Sequence, residues 1–265
     1  MNGNGSGFAG NHLGVNLAYT KFFFVTPFRD DEMTRVKLRA AGGILGRGFF
    51  NDYDAESRDP APHETIQFLI RAHGQGAEPR PGALYALQVC SKYRPRLQET
   101  DVELRRRVAE IAEVTAFEGA VRVPQYTSAE MYEFAYKNAL PRASGRVQKN
   151  VIIIPMNKST EWWEKAALDR QTYFYPHADP TGARVKGHAR SAEPGVTTIF
   201  RKLYYNPDGH SRQDEWDFVT YFECADEHLA TFDQICRTLR DIRQNPEWRY
   251  VSEGPEWRGK RVQRW

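Results

Sequence analysis

Asn150-Val-Ile-Ile-Ile-Pro-Met-Asn-Lys158-Ser-Thr-Glu-Trp162-Trp163 decides the fold. The β-branched run Asn150 to Pro155 has the composition of a strand covered on both faces. Glu161 to about Tyr175 then reads as a helix, which Pro176 cannot continue. Val196 to Tyr205 and Trp216 to Glu223 follow as strands, separated by the turn-rich Asn206-Pro-Asp-Gly. Leu229, Phe232, Ile235, Cys236 and Leu239 form one apolar stripe of a second helix. Trp248 to Val251 reads as a closing strand. The order is β-α-β-β-α-β, a ferredoxin-like unit in the α+β class.

Working back toward the N-terminus, Tyr19 to Pro27, Glu64 to Ala72 and Ala83 to Cys90 have strand composition. Leu97 to Phe117 reads as one helix, because Val102, Val108, Ile111 and Val114 recur mostly at helical steps among Glu and Arg. Val121 to Tyr126 is a further strand candidate, and Pro141 to Gln148 a polar linker. Residues 1–14, rich in Gly and Asn, read as a flexible tail. Strands and helix occur here in an amount comparable to the C-terminal half, so a second unit sharing one core is expected. No internal repeat is visible.

Composition narrows the function. Of 265 residues, 40% are hydrophobic and 27% charged, ordinary for a soluble globular protein. The longest apolar run, Val151 to Met156, is far below the roughly 20 residues of a membrane span. No basic stretch followed by an apolar one opens the sequence, so a secretory leader is not expected. A net charge of +3 over 37 basic and 34 acidic residues is no nucleic-acid footprint. Three cysteines, Cys90, Cys224 and Cys236, are too few and too dispersed for a zinc cage or a disulfide framework. They suit a reducing, cytoplasmic setting.

Several residues could carry chemistry. Gly42, Gly43, Gly46 and Gly48 match a phosphate loop only loosely and read as tight-turn glycines, since no Lys-Ser/Thr follows. No His pair has the zinc-hydrolase spacing, and no Gly-x-Ser-x-Gly elbow occurs. Arg201 alternates with Ile199 and Leu203 on one strand face, while Phe200 and Tyr204 occupy the other. A guanidinium cannot shed its proton, so it requires an anionic partner: a protein carboxylate or a ligand. The adjacent Trp162 and Trp163 point in different directions, one toward a core and the other toward a pocket or subunit contact. His177 lies fourteen residues after Trp163, near four helical turns, although Pro176 interrupts that register.

Together these pieces resemble the chlorite dismutase and coproheme decarboxylase family of heme proteins. The resemblance rests on five motifs in order: Ile154-Pro-Met-Asn-Lys158-Ser-Thr-Glu-Trp162-Trp163, His177-Ala-Asp-Pro-Thr, Phe200-Arg201-Lys-Leu-Tyr204, Asp217-Phe-Val-Thr-Tyr-Phe-Glu223 and Arg249-Tyr-Val-Ser-Glu253. It spans about Lys149 to Val262. It implies two ferredoxin-like βαββαβ units forming a dimeric α/β barrel. The N-terminal unit would cover residues 15–148 and the heme-binding unit 149–265. It also implies heme b and a homo-pentamer or another ring of identical subunits, with no nucleic acid or membrane as partner. His177 matches the iron ligand and Arg201 the arginine on the opposite, distal side. Lys158, Trp162, Trp163, Leu203 and Gln244 fall at positions expected to hold the cofactor.

Three departures qualify that pattern. The stretch between His177 and Arg201 is longer by about one loop, which makes His188, thirteen residues before Arg201, a rival ligand. The acidic partner of the family's histidine falls at Gln244, with Glu247 nearby; a neutral Gln would leave the iron less electron-rich. Ile154 stands where coproheme decarboxylases carry a reactive tyrosine, which disfavours propionate decarboxylation. The resemblance therefore implies a heme b oxidoreductase transferring an oxygen atom from a small oxyanion, chlorite giving chloride and O2. The longer loop equally admits an organic nitrogen–oxygen or peroxide substrate. A non-catalytic heme-binding protein is the third reading.

Overall fold

A computed structural model describes residues 19–53, 64–72, 82–121, 128–179, 181–210 and 215–265. The expected flexible tail and most of the Val121 to Tyr126 strand candidate lie outside these residues. The first half runs β1 (Tyr19–Pro27), α1 (Glu32–Leu45), β2 (Phe50–Asn51), β3 (Glu64–Arg71), β4 (Tyr85–Ser91), α2 (Arg94–Val108) and β5 (Ala112–Ala120). A short α3 (Ala129–Tyr132) leads toward β6 (Asn150–Lys158). There follow α4 (Thr160–Glu164), α5 (Ala167–Thr172), β7 (His177–Ala178), β8 (Arg184–Val185) and α6 (Gly187–Ala192). The chain ends with β9 (Phe200–Tyr205), β10 (Phe218–Cys224), α7 (Leu229–Arg240), β11 (Val251–Glu253) and β12 (Trp257–Val262). No helix among the described residues is long and apolar enough to cross a membrane.

Among the described residues, ten strands form one sheet in the order β10-β9-β5-β1-β4-β3-β12-β6-β11, with β2 beside β3. Because β6 also pairs antiparallel with β10, the sheet closes on itself. Among the described residues, β5 pairs with β9 at Ala120 and Tyr205.

Strand alternation sorts the core into three parts. Val151 and Ile153 of β6 join Phe22, Leu69, Val219 and Tyr221 inside the closed sheet. Ile152, Ile154 and Met156 face outward, where α7 covers them with Phe232, Ile235 and Cys236. Under α1 and α2, Phe23, Leu38, Leu87 and Leu104 form the third cluster. The Asn150 to Pro155 run is thus buried on both faces, as its composition predicts.

The interior also holds charge. Glu223 is fully buried and accepts from Arg142 Nε at 2.9 Å and Arg261 Nη1 at 3.0 Å. Arg142 and Arg261 both also pair with Asp52. Tyr221 donates to Glu223 and accepts from Gln67 at 2.7 Å. These groups come from both halves of the chain. Arg142 lies in the stretch expected to be a plain polar linker, and it instead inserts its guanidinium among strands β3, β4 and β10.

Four sequence expectations need correction. The helix read over Leu97 to Phe117 stops at Val108, and residues 112–120 form β5, paired along its length with β1. Gly42 and Gly43 belong to α1 rather than a turn; a Cβ at Gly42 would meet Phe68 at 3.0 Å and Trp265 at 3.2 Å. The helix read from Glu161 to Tyr175 is two short helices broken at Lys165-Ala166. Trp248 lies in a tight helical turn, Pro246–Tyr250, and the closing strand is β12.

Candidate functional site

Where β6 ends, Ser159 caps α4, its hydroxyl accepting from the Trp162 N–H at 3.4 Å. Successive helical residues project about 100° apart, so the tryptophans separate. Trp162 is buried, with Tyr173 and Tyr250 packed against it at ring distances of 5.5 and 5.6 Å. Trp163 points elsewhere: its Nε1 donates to Asp217 Oδ2 at 3.0 Å, and its ring lies 4.2 Å from that of His210.

Lys158, the last residue of β6, sets its ammonium 3.9 Å from the centre of the Trp162 ring. The same Nζ donates to Glu247 Oε1 at 2.5 Å, with both side chains under one-tenth exposed. Glu247 Oε2 lies 3.1 Å from His188 Nδ1. Burial works against the Glu247 anion, but Lys158 and His188 outweigh it and hold the pKa at about 2. The carboxylate is therefore charged at neutral pH. Burial lowers the Lys158 pKa in spite of that partner. A carboxylate on one imidazole nitrogen fixes ring orientation and tautomer, leaving Nε2 as an oriented donor for a metal.

The backbone around His188 is equally determined. Gly187 takes φ +69°, and a Cβ there would sit 2.3 Å from the Tyr175 carbonyl oxygen, so only glycine fits. The Lys186 and Gly187 N–H groups both donate to the Gln244 carbonyl, and the His188 N–H donates to that of Tyr173. The His188 ring stacks on Phe174 at 6.1 Å with an 18° tilt.

Arg201 sits on the outward face of β9. Register places it opposite Phe222, and Leu203 opposite Thr220, which in turn opposes Ile154. Its Cζ lies 5.1 Å from the Phe134 ring centre. Phe134 meets Phe174 edge-on at 5.5 Å, so two aromatic rings connect Arg201 to His188.

His177 stands apart from this carboxylate. Its Nδ1 donates to the Tyr175 carbonyl at 2.9 Å, it pairs with Val185 in a two-stranded hairpin, and its ring meets Tyr173 at 6.0 Å. The helical register that linked it to Trp163 does not exist, because α5 ends at Thr172. Gln244 contributes its backbone carbonyl, whereas Glu247, three residues on, supplies the carboxylate to an imidazole. Lys158, Trp162 and His188 thus come together, with Arg201 and Leu203 on the neighbouring sheet face. Phe134 and Phe174 escaped sequence reading, since nothing local distinguishes them from core aromatics. Pro176 was the available signal against the His177 register.

Among the described residues, no three His, Cys, Asp or Glu side chains are grouped to hold a bare metal ion. A single oriented imidazole suits a metal that brings its own macrocycle, and a proximal histidine is a common ligand of heme iron. The donor set therefore fits heme.

No family model matches the chain. Among solved structures it is similar to chlorite dismutase from Candidatus Nitrospira defluvii. An arginine-to-alanine variant aligns with a TM-score of 0.67 at 18% identity, over 94% of this chain and 92% of that one. The complex of that enzyme with imidazole aligns at 0.64 and 18%, with the same coverage. A double variant gives 0.66 and 18%, covering 92% and 91%. This chain has the chlorite dismutase fold.

Proposed function

We propose that this chain is a heme b oxidoreductase of chlorite dismutase type, in which His188 would hold the iron. The observation that carries the reading is the His188–Glu247–Lys158 relay, set beside a sheet face bearing Arg201. On this reading the two β-α-β-β-α-β halves are ferredoxin-like units of one barrel, and the C-terminal unit holds the cofactor. The subunits assemble as a homo-oligomeric ring.

When bound, heme would supply redox-active iron for oxygen-atom transfer from an oxyanion such as chlorite. Glu247 holds His188 by Nδ1 and strengthens its donation through Nε2. Lys158 keeps that carboxylate ionised. Arg201 attracts the anionic substrate and holds the departing anion by fixed charge, which water exclusion strengthens. The step requires no proton transfer, in keeping with the apolar Ile152, Ile154, Leu203 and Phe222 on the same face.

Propionate decarboxylation fits less well. Ile154 is buried without an oxidisable hydroxyl, and Tyr204 points into the barrel, where it accepts from Gln88 at 3.1 Å. Neither supports propionate decarboxylation. The Phe134 ring against Arg201 does favour a second reading, an organic nitrogen–oxygen or peroxide substrate bound beside aromatic walls. Chlorite added to heme-loaded protein under an oxygen electrode decides between them. Oxygen evolution that Arg201→Ala removes supports chlorite as substrate, and an inert heme protein refutes it.

A further inference from the structure

After α3 the chain does something uncommon. Ser128 caps the helix, its hydroxyl accepting from the Met131 N–H at 3.2 Å. The helix then widens over Glu133–Lys137, where the Asn138 N–H donates to the Glu133 carbonyl at 2.9 Å, five residues back. Such single π turns are rare and occur frequently at functional sites. Phe134 is in this turn. Its half-buried ring takes the Arg201 guanidinium at 5.1 Å and touches Phe174 edge-on at 5.5 Å.

We propose that Phe134 is a positioning residue for Arg201: the π turn holds its ring against the guanidinium and so sets where that charge meets an anionic ligand. This inference rests on the reading that Arg201 serves an anion beside heme. A ring attracts a cation through its electron-rich face and uses none of the five N–H donors of arginine. It therefore restrains the side chain without itself occupying an N–H donor. Phe174 supports the ring edge-on, an arrangement aromatic pairs prefer, and stacks with its own ring on His188. The two sides of the candidate site are thereby braced through the same two phenylalanines. Shortening Phe134 would let the guanidinium sample other rotamers and admit water beside it.

The test uses Phe134→Leu, which keeps apolar bulk without the ring, Phe134→Met as a second such variant, and Phe134→Tyr, which keeps the ring. Nitrogen-15 NMR of the heme-free protein, with Arg201 assigned through Arg201→Lys, reports whether the Nε–H of Arg201 feels the ring current. Fluoride titration of the heme-loaded protein reports anion affinity. The proposal expects the Arg201 signal to move in the Leu and Met variants and to stay near its place in Phe134→Tyr. Fluoride should bind roughly 2- to 30-fold more weakly in the Leu and Met variants, from the worth of a cation–π contact, and Phe134→Tyr should restore it. An unmoved Arg201 signal, or fluoride weakened equally in all three variants, overturns it. If wild-type protein takes up no heme, the functional reading fails, and the Arg201 signal alone decides this inference.

Discussion

Replacing Glu247 by Gln tests the buried relay most sharply. The Glu247 pKa falls from an ordinary 4.5 to about 2 in the fold. That depression is worth at most about 3 kcal/mol, at 1.36 kcal/mol per pKa unit. The stabilisation is fully present above the unfolded value and fades as pH drops from about 4.5 through about 2. Burial of Lys158 offsets part of it, because the ammonium is held below its usual pKa even beside Glu247. Glu247→Gln leaves that ammonium buried with the Trp162 ring and no carboxylate on its Nζ. Breaking one partner of a buried pair costs about 3–5 kcal/mol. For a chain of this size, 3 kcal/mol corresponds to a fall in Tm of roughly 6–12 °C. Lys158→Met should also destabilise, and the Lys158→Met/Glu247→Gln double variant should lose less than the two singles added together. Urea melts of all four proteins at pH 7, repeated near pH 3, close the cycle. Strict additivity, or a Glu247→Gln cost under about 1 kcal/mol that does not shrink in acid, would refute the coupling.

Gly187→Ala should destabilise by about 1–3 kcal/mol in urea melts and displace His188, because φ +69° and the Tyr175 carbonyl leave no room for a Cβ. Coproheme incubated with the protein and peroxide should keep both propionates, read by mass; conversion to heme b would contradict the role given to Ile154. Arg201→Ala should weaken fluoride binding to the heme-loaded protein roughly 10- to 150-fold while heme content holds, the cost of one charge-assisted hydrogen bond. Equal affinities with a lower Tm would instead make Arg201 scaffold.

The parts of the fold legible in the sequence are those where one signal dominated. Val151 to Ile154 reads as a two-faced strand because β-branched residues fill every position, and α7 shows its stripe because Phe232, Ile235 and Cys236 share one face. β5 was hidden. Val108, Ile111 and Val114 have helical spacing, yet the helix ends at Val108 and Val114 belongs to a strand dictated by its long pairing with β1. β12 was hidden by Arg258, Lys260 and Arg261, three charges in six residues, whose Arg261 turns inward to Glu223 and Asp52. At the site, the Lys158-to-Trp163 segment was legible because strand exit and helix cap are local. The partner of Lys158 was not, since Glu247 lies 89 residues away and meets it only through β6 and the turn after α7. His177 follows Pro176 and His188 follows Gly187, whose need for a positive φ only the folded backbone reveals.

The central claim is that His188, held by Glu247, is the donor to heme iron. Hemin titration of the wild type, His188→Ala and His177→Ala, followed in the Soret region and the ferric charge-transfer bands, tests it directly. The wild type and His177→Ala are expected to give a histidine-ligated ferric spectrum, and His188→Ala to lose it or convert to a water-ligated form. A histidine-ligated spectrum that survives in His188→Ala and disappears in His177→Ala would contradict it.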